Sequence, residues 1–198
     1  MAQAPSKTRI IACGAIAREI IAICRNNGLT HVDLVCLPAI WHVYPAKIAP
    51  AMRAAIAEAR SEGYQRIFIG YAECGTQGEL DKICAEEGIE RIGGPHCYSF
   101  FTGNDTFTAQ GDANMTSFFL TDFLARQFDA FVTKPLGLDR HPELRDAYFG
   151  NYETLVYLAQ TDDAALDAKA RQAAKDLGLA YERRFTGYGD LATTLSRL

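Results

Sequence analysis

The sequence predicts an α/β fold, a Rossmann-like three-layer sandwich on a mainly parallel sheet of about six strands. Two observations carry this. Short apolar β-prone runs alternate with helical stretches at intervals of roughly 30 residues, the pattern of repeated βαβ units. The helical stretches also close on glycine, at Gly28, Gly63, Gly88 and Gly178, as helices commonly do. About six strands fall short of the eight of a (β/α)8 barrel.

The elements follow in order. "TRIIACG" is a first strand, and "AIAREIIAICRNNG" carries apolar residues at helical spacing. "HVDLVCLP" is a second strand, stopped by Pro38. "IAPAMRAAIAEARSEG" is an alanine-rich helix with Pro50 near its start. "YQRIFIGYAECG" and "TQGELDKICAEEG" give a third strand and helix, and "IERIGG" a short fourth strand. "NMTSFFLTDFLARQFDAFV" reads as an aromatic helix packed on the sheet. "ETLVYLAQ" is strand five, and "DDAALDAKARQAAKDLG" a helix with acids in its first turn. "LAYERRFTGYGD" is strand six, and "LATTLSRL" a short terminal helix. The whole reads as one α/β domain over 1–198, with an excursion over the sheet at about 98–152.

Composition narrows the function classes. The chain is 48% hydrophobic and 22% charged, the balance of a globular protein. A net charge of -4 leaves no basic footprint for nucleic acid and matches an anionic membrane surface poorly. No segment reaches the about 20 apolar residues of a spanning helix, and no leader peptide is read at the start. The expectation is a cytoplasmic protein with a small-molecule substrate, compatible with a homo-oligomer. In that compartment the six cysteines stay reduced, as buried thiols, metal ligands or reactive groups.

Position separates these uses. Cys24, Cys36 and Cys84 lie inside elements and read as core packing. Cys13, Cys74 and Cys97 follow strands one, three and four, and His42 follows strand two. In a parallel sheet those ends share one edge, where open α/β sheets bind ligands. Thiolate and imidazole suit Zn²⁺, so Cys13, His42, Cys74 and Cys97 form a candidate metal set, with His96 as a further ligand or proton shuttle. Three thiolates would also suit an iron–sulfur cluster. A metal-free alternative is one thiolate activated by His42 or His96. The loop Gly75, Thr76, Gln77 and Gly78 opens a helix and offers N–H groups to an anion, without the lysine or spacing of a Walker loop. Tyr71, Tyr98 and Phe100 would wall the pocket. His141, in "DRHPELR", reads as part of a surface helix start, and "GYGD" as a turn.

The ordered features "IIACG…E", "LP…WH", "IGYAECG", "HCYSFFTG" and "YFGNYETLVYLAQT" resemble the DUF1638 family over about residues 8 to 190. That family has no established activity, and many members are encoded close to corrinoid-dependent methyltransferase components. Members more often carry "PRxxDC" before the last cysteine, whereas this chain reads "GGPHC", with His96 in place of the acid. The resemblance implies a setting in one-carbon metabolism, with a corrinoid protein as partner. It suits a zinc-dependent, methyltransferase-type enzyme acting on a small thiol or methylated substrate. The alternatives are a non-enzymatic metal, iron–sulfur or corrinoid accessory protein, and a metal-free cysteine-dependent enzyme.

Overall fold

The computed structural model describes residues 6–198, the side chains of residues 112 and 113 excepted. The chain divides into two compact units, one ending at Phe100 and taking back Asp190–Leu198, the other running Phe101–Gly189.

The first unit holds strands β1 (Thr8–Cys13), β2 (Val32–Leu37), β3 (Arg66–Gly70) and β4 (Glu90–Arg91), in the order β2-β1-β3-β4. All pairings are parallel. The connections are helices α1 (Ala17–Asn26), α2 (Ile48–Ser61) and α3 (Glu79–Glu87). Ile10, Ile11 and Ala12 of β1 are wholly buried, so successive side chains, which point to opposite faces, are both covered. Gly70 ends β3 opposite Ala12, where an added Cβ would stand 2.9 Å from the Ala12 Cβ. Glycine therefore lets β3 lie close against β1 immediately before Tyr71.

The second unit begins within α4 (Cys97–Thr102) and continues through α5 (Asn104–Gln110) to β5 (Ser117–Thr121) and α6 (Asp122–Arg126). After α7 (Arg145–Phe149) come β6 (Thr154–Ala159), α8 (Ala164–Leu177) and β7 (Ala180–Phe185), and α9 (Gly189–Leu195) leads back to the first unit. Its sheet is parallel in the order β5-β6-β7. Leu155 to Ala159 of the central strand are wholly buried. The Asp163 carboxylate caps α8, accepting from the N–H of Ala165 (2.8 Å) and Leu166 (3.2 Å). Gly178, at φ +70, ends it.

The α/β class and the parallel strands follow the sequence pattern, but the single six-stranded sheet does not. Among the described residues, seven strands form a four-stranded and a three-stranded sheet. The additional strand is β5, inside the run expected to be an aromatic helix. Its Phe118 and Leu120 pair with Leu155 and Tyr157 of β6. A short continuous apolar run has no period that separates strand from helix. No helix among the described residues is long and apolar enough to cross a membrane.

Candidate functional site

The carboxyl edge of the four-stranded sheet gathers the thiols. Cys13 ends β1 and caps a 3-10 turn, its Sγ accepting from the N–H of Ala15 at 3.4 Å. Cys74 lies four residues past β3 and is fixed by its backbone. The N–H groups of Glu73 and Cys74 donate to the carbonyls of Gly94 (2.9 Å) and Pro95 (3.1 Å), tying this loop to the segment that leads into Cys97. Cys97 opens α4, with its N–H near enough to the Cys74 sulfur to favour the thiolate there. The Tyr98 N–H lies near the Cys97 sulfur and acts on it in the same sense. Backbone N–H groups near each of the three sulfurs favour a thiolate over a thiol, with a hydrogen bond formed at Cys13.

These groups act on one another. Burial first, and then Cys13, push the Cys74 thiol up to about 12. Burial, followed by Cys74 and Cys13, holds Cys97 well above the ordinary thiol range. Burial also raises Cys13, against the opposing donation from Ala15 and Tyr71. Tyr71, directly after β3, is 2% exposed, and its phenol is raised by burial and then by Cys13, with Cys74 and Cys97 adding to the effect. Its hydroxyl lies beside the Cys13 thiol yet forms no well-shaped hydrogen bond. Thiols this close disfavour one another's ionisation, because each thiolate raises the cost of the next.

The histidines form a more open part of the same unit. His42 stands in the 3-10 turn Ala39–Val43 after β2, with one side in solvent; packing on the other lowers its basicity. His96 is half-buried and stacks on Tyr98 with ring centroids 4.9 Å apart. Partial burial, and then the neighbouring His42, lower its basicity. Cys13, Cys74, Cys97 and Tyr71 therefore neighbour one another, and His42 neighbours His96. Among the described residues, no three His, Cys, Asp or Glu side chains stand in an arrangement that holds a metal ion.

Two expectations need correction. The loop Gly75–Gly78 does not present its amides outward. The Glu73 carboxylate accepts from the N–H of Gly75 (2.7 Å) and Gly78 (3.1 Å) and from the Thr76 hydroxyl (3.1 Å). Burial opposes the Glu73 charge, but these donors outweigh it and hold the carboxyl below its usual range. The loop is a nest around an internal anion, which leaves an external one no free amide at Gly75 or Gly78. The sequence signal was an acid two and five residues before those glycines, in "ECGTQG". The loop also holds Cys74 and Gln77 at φ +49 and +55, values uncommon for residues with a Cβ. Cys36, expected in the core, is exposed, because β2 is an edge strand. Cys24 and Cys84 are half-buried, and Phe100 is wholly buried.

The second unit holds a polar node that the sequence reading missed. Asp122, 1% exposed, accepts from the Tyr157 hydroxyl (2.7 Å), the Gln160 N–H (3.0 Å), and the N–H (3.1 Å) and hydroxyl of Thr161. Its own N–H donates to Gln160 Oε1 at 2.7 Å. With both carboxylate oxygens doubly engaged, the node ties β5 to β6 and leaves little room for a ligand. His141, as expected, lies on the surface, its Nδ1 3.1 Å from Glu143.

No curated protein and no solved structure matches the chain. The model of one protein family, described as a protein of unknown function, does match, over residues 36–195. That span covers Cys36 through α9 and includes His42, Cys74, Cys97 and the whole second unit. The chain belongs to the DUF1638 family.

Proposed function

We propose that this protein binds a thiophilic metal ion, zinc foremost, through Cys13, Cys74 and Cys97, with His42 or His96 completing the set from the open side. The observation that supports the reading is that three thiols, at Cys13, Cys74 and Cys97, neighbour one another at the carboxyl edge of a parallel sheet. Mutual repulsion and burial keep these thiols neutral, and a cation is the partner that offsets both. In the arrangement seen, the side chains do not share ligand geometry, so loading requires rotation about their Cα–Cβ bonds.

A bound zinc ion would stabilise a substrate thiolate at neutral pH and keep it available as a nucleophile. We extend this to a small thiol or methylated substrate, with a corrinoid protein as partner, in a cytoplasmic setting where six free cysteines stay reduced. His96, half-buried beside Tyr98, would carry protons at the open side. A metal-free nucleophilic cysteine has less support. Burial is the largest influence on each of the three thiols and raises it, and Cys74 is pushed to about 12, well above neutral pH.

Elemental analysis of protein purified without added metal, together with an absorption spectrum, tests the reading. Stoichiometric zinc, lost in Cys74→Ser, is the expected outcome. A coloured protein would replace zinc with an iron–sulfur or corrinoid group. Metal content near zero, in wild type and Cys74→Ser alike, would sink the proposal.

A further inference from the structure

A cleft of about 570 Å³ opens in the first unit beside the loop Gly75–Gly78. That volume falls in the range of small-molecule sites. One wall is apolar: Pro45 and Ala46 of the 3-10 turn Pro45–Lys47, then Ala49 and Pro50 in the first turn of α2. The other wall is the loop itself, through Gly75, Thr76 and Gln77, with Glu79 opening α3. A Cβ added at Gly75 would stand 3.6 Å from the Pro45 side chain, so the two walls come together there.

The polar groups of the cleft limit what it can hold. Arg53 and Glu79 line it with one charge of each sign, which leaves no net charge to select an ion. Arg53 is also paired with Glu86 at 2.6 Å. An anion is disfavoured further by the Glu73 carboxylate, which already takes the N–H groups of Gly75 and Gly78. The Thr76 hydroxyl is likewise turned to Glu73. Gln77 is the polar side chain left over. It is exposed, and its amide has no hydrogen-bond partner among the described residues. Its backbone sits at φ +55, where a glycine would make the same turn with less strain. What glutamine adds is an amide, a donor and an acceptor side by side.

We propose that this cleft binds a small uncharged molecule with a compact apolar body and an amide-type edge, as in a lactam or an aryl carboxamide. The body lies on Pro45, Ala46, Ala49 and Pro50. The edge pairs with the Gln77 amide, donor to acceptor and acceptor to donor. Glu73 already fixes the loop, so little ordering is lost on binding. None of the lining residues is a ligand in the metal reading, and the inference does not rest on it.

The test is an NMR titration of the full-length protein, with a chelator present, following backbone amides. Benzamide is the probe, and benzoate and protonated benzylamine are its charged counterparts. Benzamide is expected to shift the amides of Ala46, Ala49, Gly75 and Gln77 saturably, and to bind more tightly than either charged probe. Gln77→Gly should weaken benzamide about 3- to 10-fold, the net worth of a neutral hydrogen-bonded pair. Its urea midpoint should equal or exceed that of wild type, which separates lost recognition from lost folding. Ala46→Trp, at an exposed position on the apolar wall, should abolish binding by filling the cleft. No saturable shift at these amides, equal binding of all three probes, or benzamide affinity unchanged in Gln77→Gly would each overturn the inference. Each of these results leaves the metal reading intact, and a protein without zinc leaves the cleft's ligand untouched.

Discussion

Cys74 sits at φ +49, in the region where a Cβ crowds the following carbonyl. Comparing Cys74→Gly with Cys74→Ala isolates that strain. Both variants remove the sulfur, so the loss of its contacts cancels between them. What remains is the backbone. A residue with a Cβ in the left-handed region costs about 1–2 kcal/mol relative to glycine. Glycine gives back about 0.4–1 kcal/mol through its larger unfolded-state entropy. The glycine variant should therefore be more stable than the alanine variant by about 0.5–1 kcal/mol, the reverse of the usual order. Urea unfolding followed by fluorescence of Trp41, the sole tryptophan and a member of the first unit, gives the comparison directly. The denaturant slopes should match, so that the midpoints report stability alone. An alanine variant as stable as the glycine variant, or more so, would show that the loop relaxes around the substitution and that Cys74 is not held under strain.

Two further outcomes follow from the second unit. Asp122→Ala leaves the Tyr157 hydroxyl and the Gln160 N–H, both buried, without their acceptor, and at about 1–3 kcal/mol each the loss is about 2–6 kcal/mol. Urea unfolding followed by far-UV circular dichroism measures it; Asp122→Asn, which keeps one acceptor oxygen, should lose less, and an alanine variant within about 1 kcal/mol of wild type would remove the node from the account of stability. Asp167 is held below its ordinary pKa of 3.8 by the Tyr181 hydroxyl (2.7 Å) and then by Arg171 and Arg183, against opposing burial. Its contribution is fully present above that ordinary value and is lost as pH falls through the lower folded value. The advantage of wild type over Asp167→Asn, followed by unfolding at a series of pH values, should be constant above about pH 5 and vanish in strong acid, and an advantage that persists there would contradict the assignment.

The parts of the fold that were legible are those with a period or a punctuation mark. Helix α8 shows both, with an acid before its first turn and a glycine after its last, and α1 to α3 close on Gly28, Gly63 and Gly88 at positive φ. Strand β5 was illegible because "SFFLT" is apolar on both faces, and what makes it a strand is its partner β6, which lies more than thirty residues on. The division into two sheets was hidden for a related reason: strand pairing is a long-range property, and alternation of elements looks the same in one sheet or two. The neighbourhood of Cys13, Cys74 and Cys97 was accessible because parallel order alone sends successive strand ends to one edge. The same argument placed His42 and His96 at that edge, and His96 there feels the neighbouring His42. Glu73 was passed over because its role is local geometry, an acid folding back on the amides that follow it.

That geometry bears on the site. Left to its own preferences, a cysteine between Glu73 and Gly75 would avoid positive φ. Here the Glu73 carboxylate gathers Gly75, Thr76 and Gly78, while the carbonyls of Gly94 and Pro95 take the N–H groups of Glu73 and Cys74. Seven residues are thereby held around a thiol that neighbours Cys97 and Cys13. A turn that merely joined β3 to α3 would need none of this; glycine at residue 74 would do it with less strain. Under the metal reading proposed above, strain held in place by surrounding hydrogen bonds, around a side chain whose neighbours are two further thiols and an unpartnered phenol, would serve to place the Cys74 sulfur.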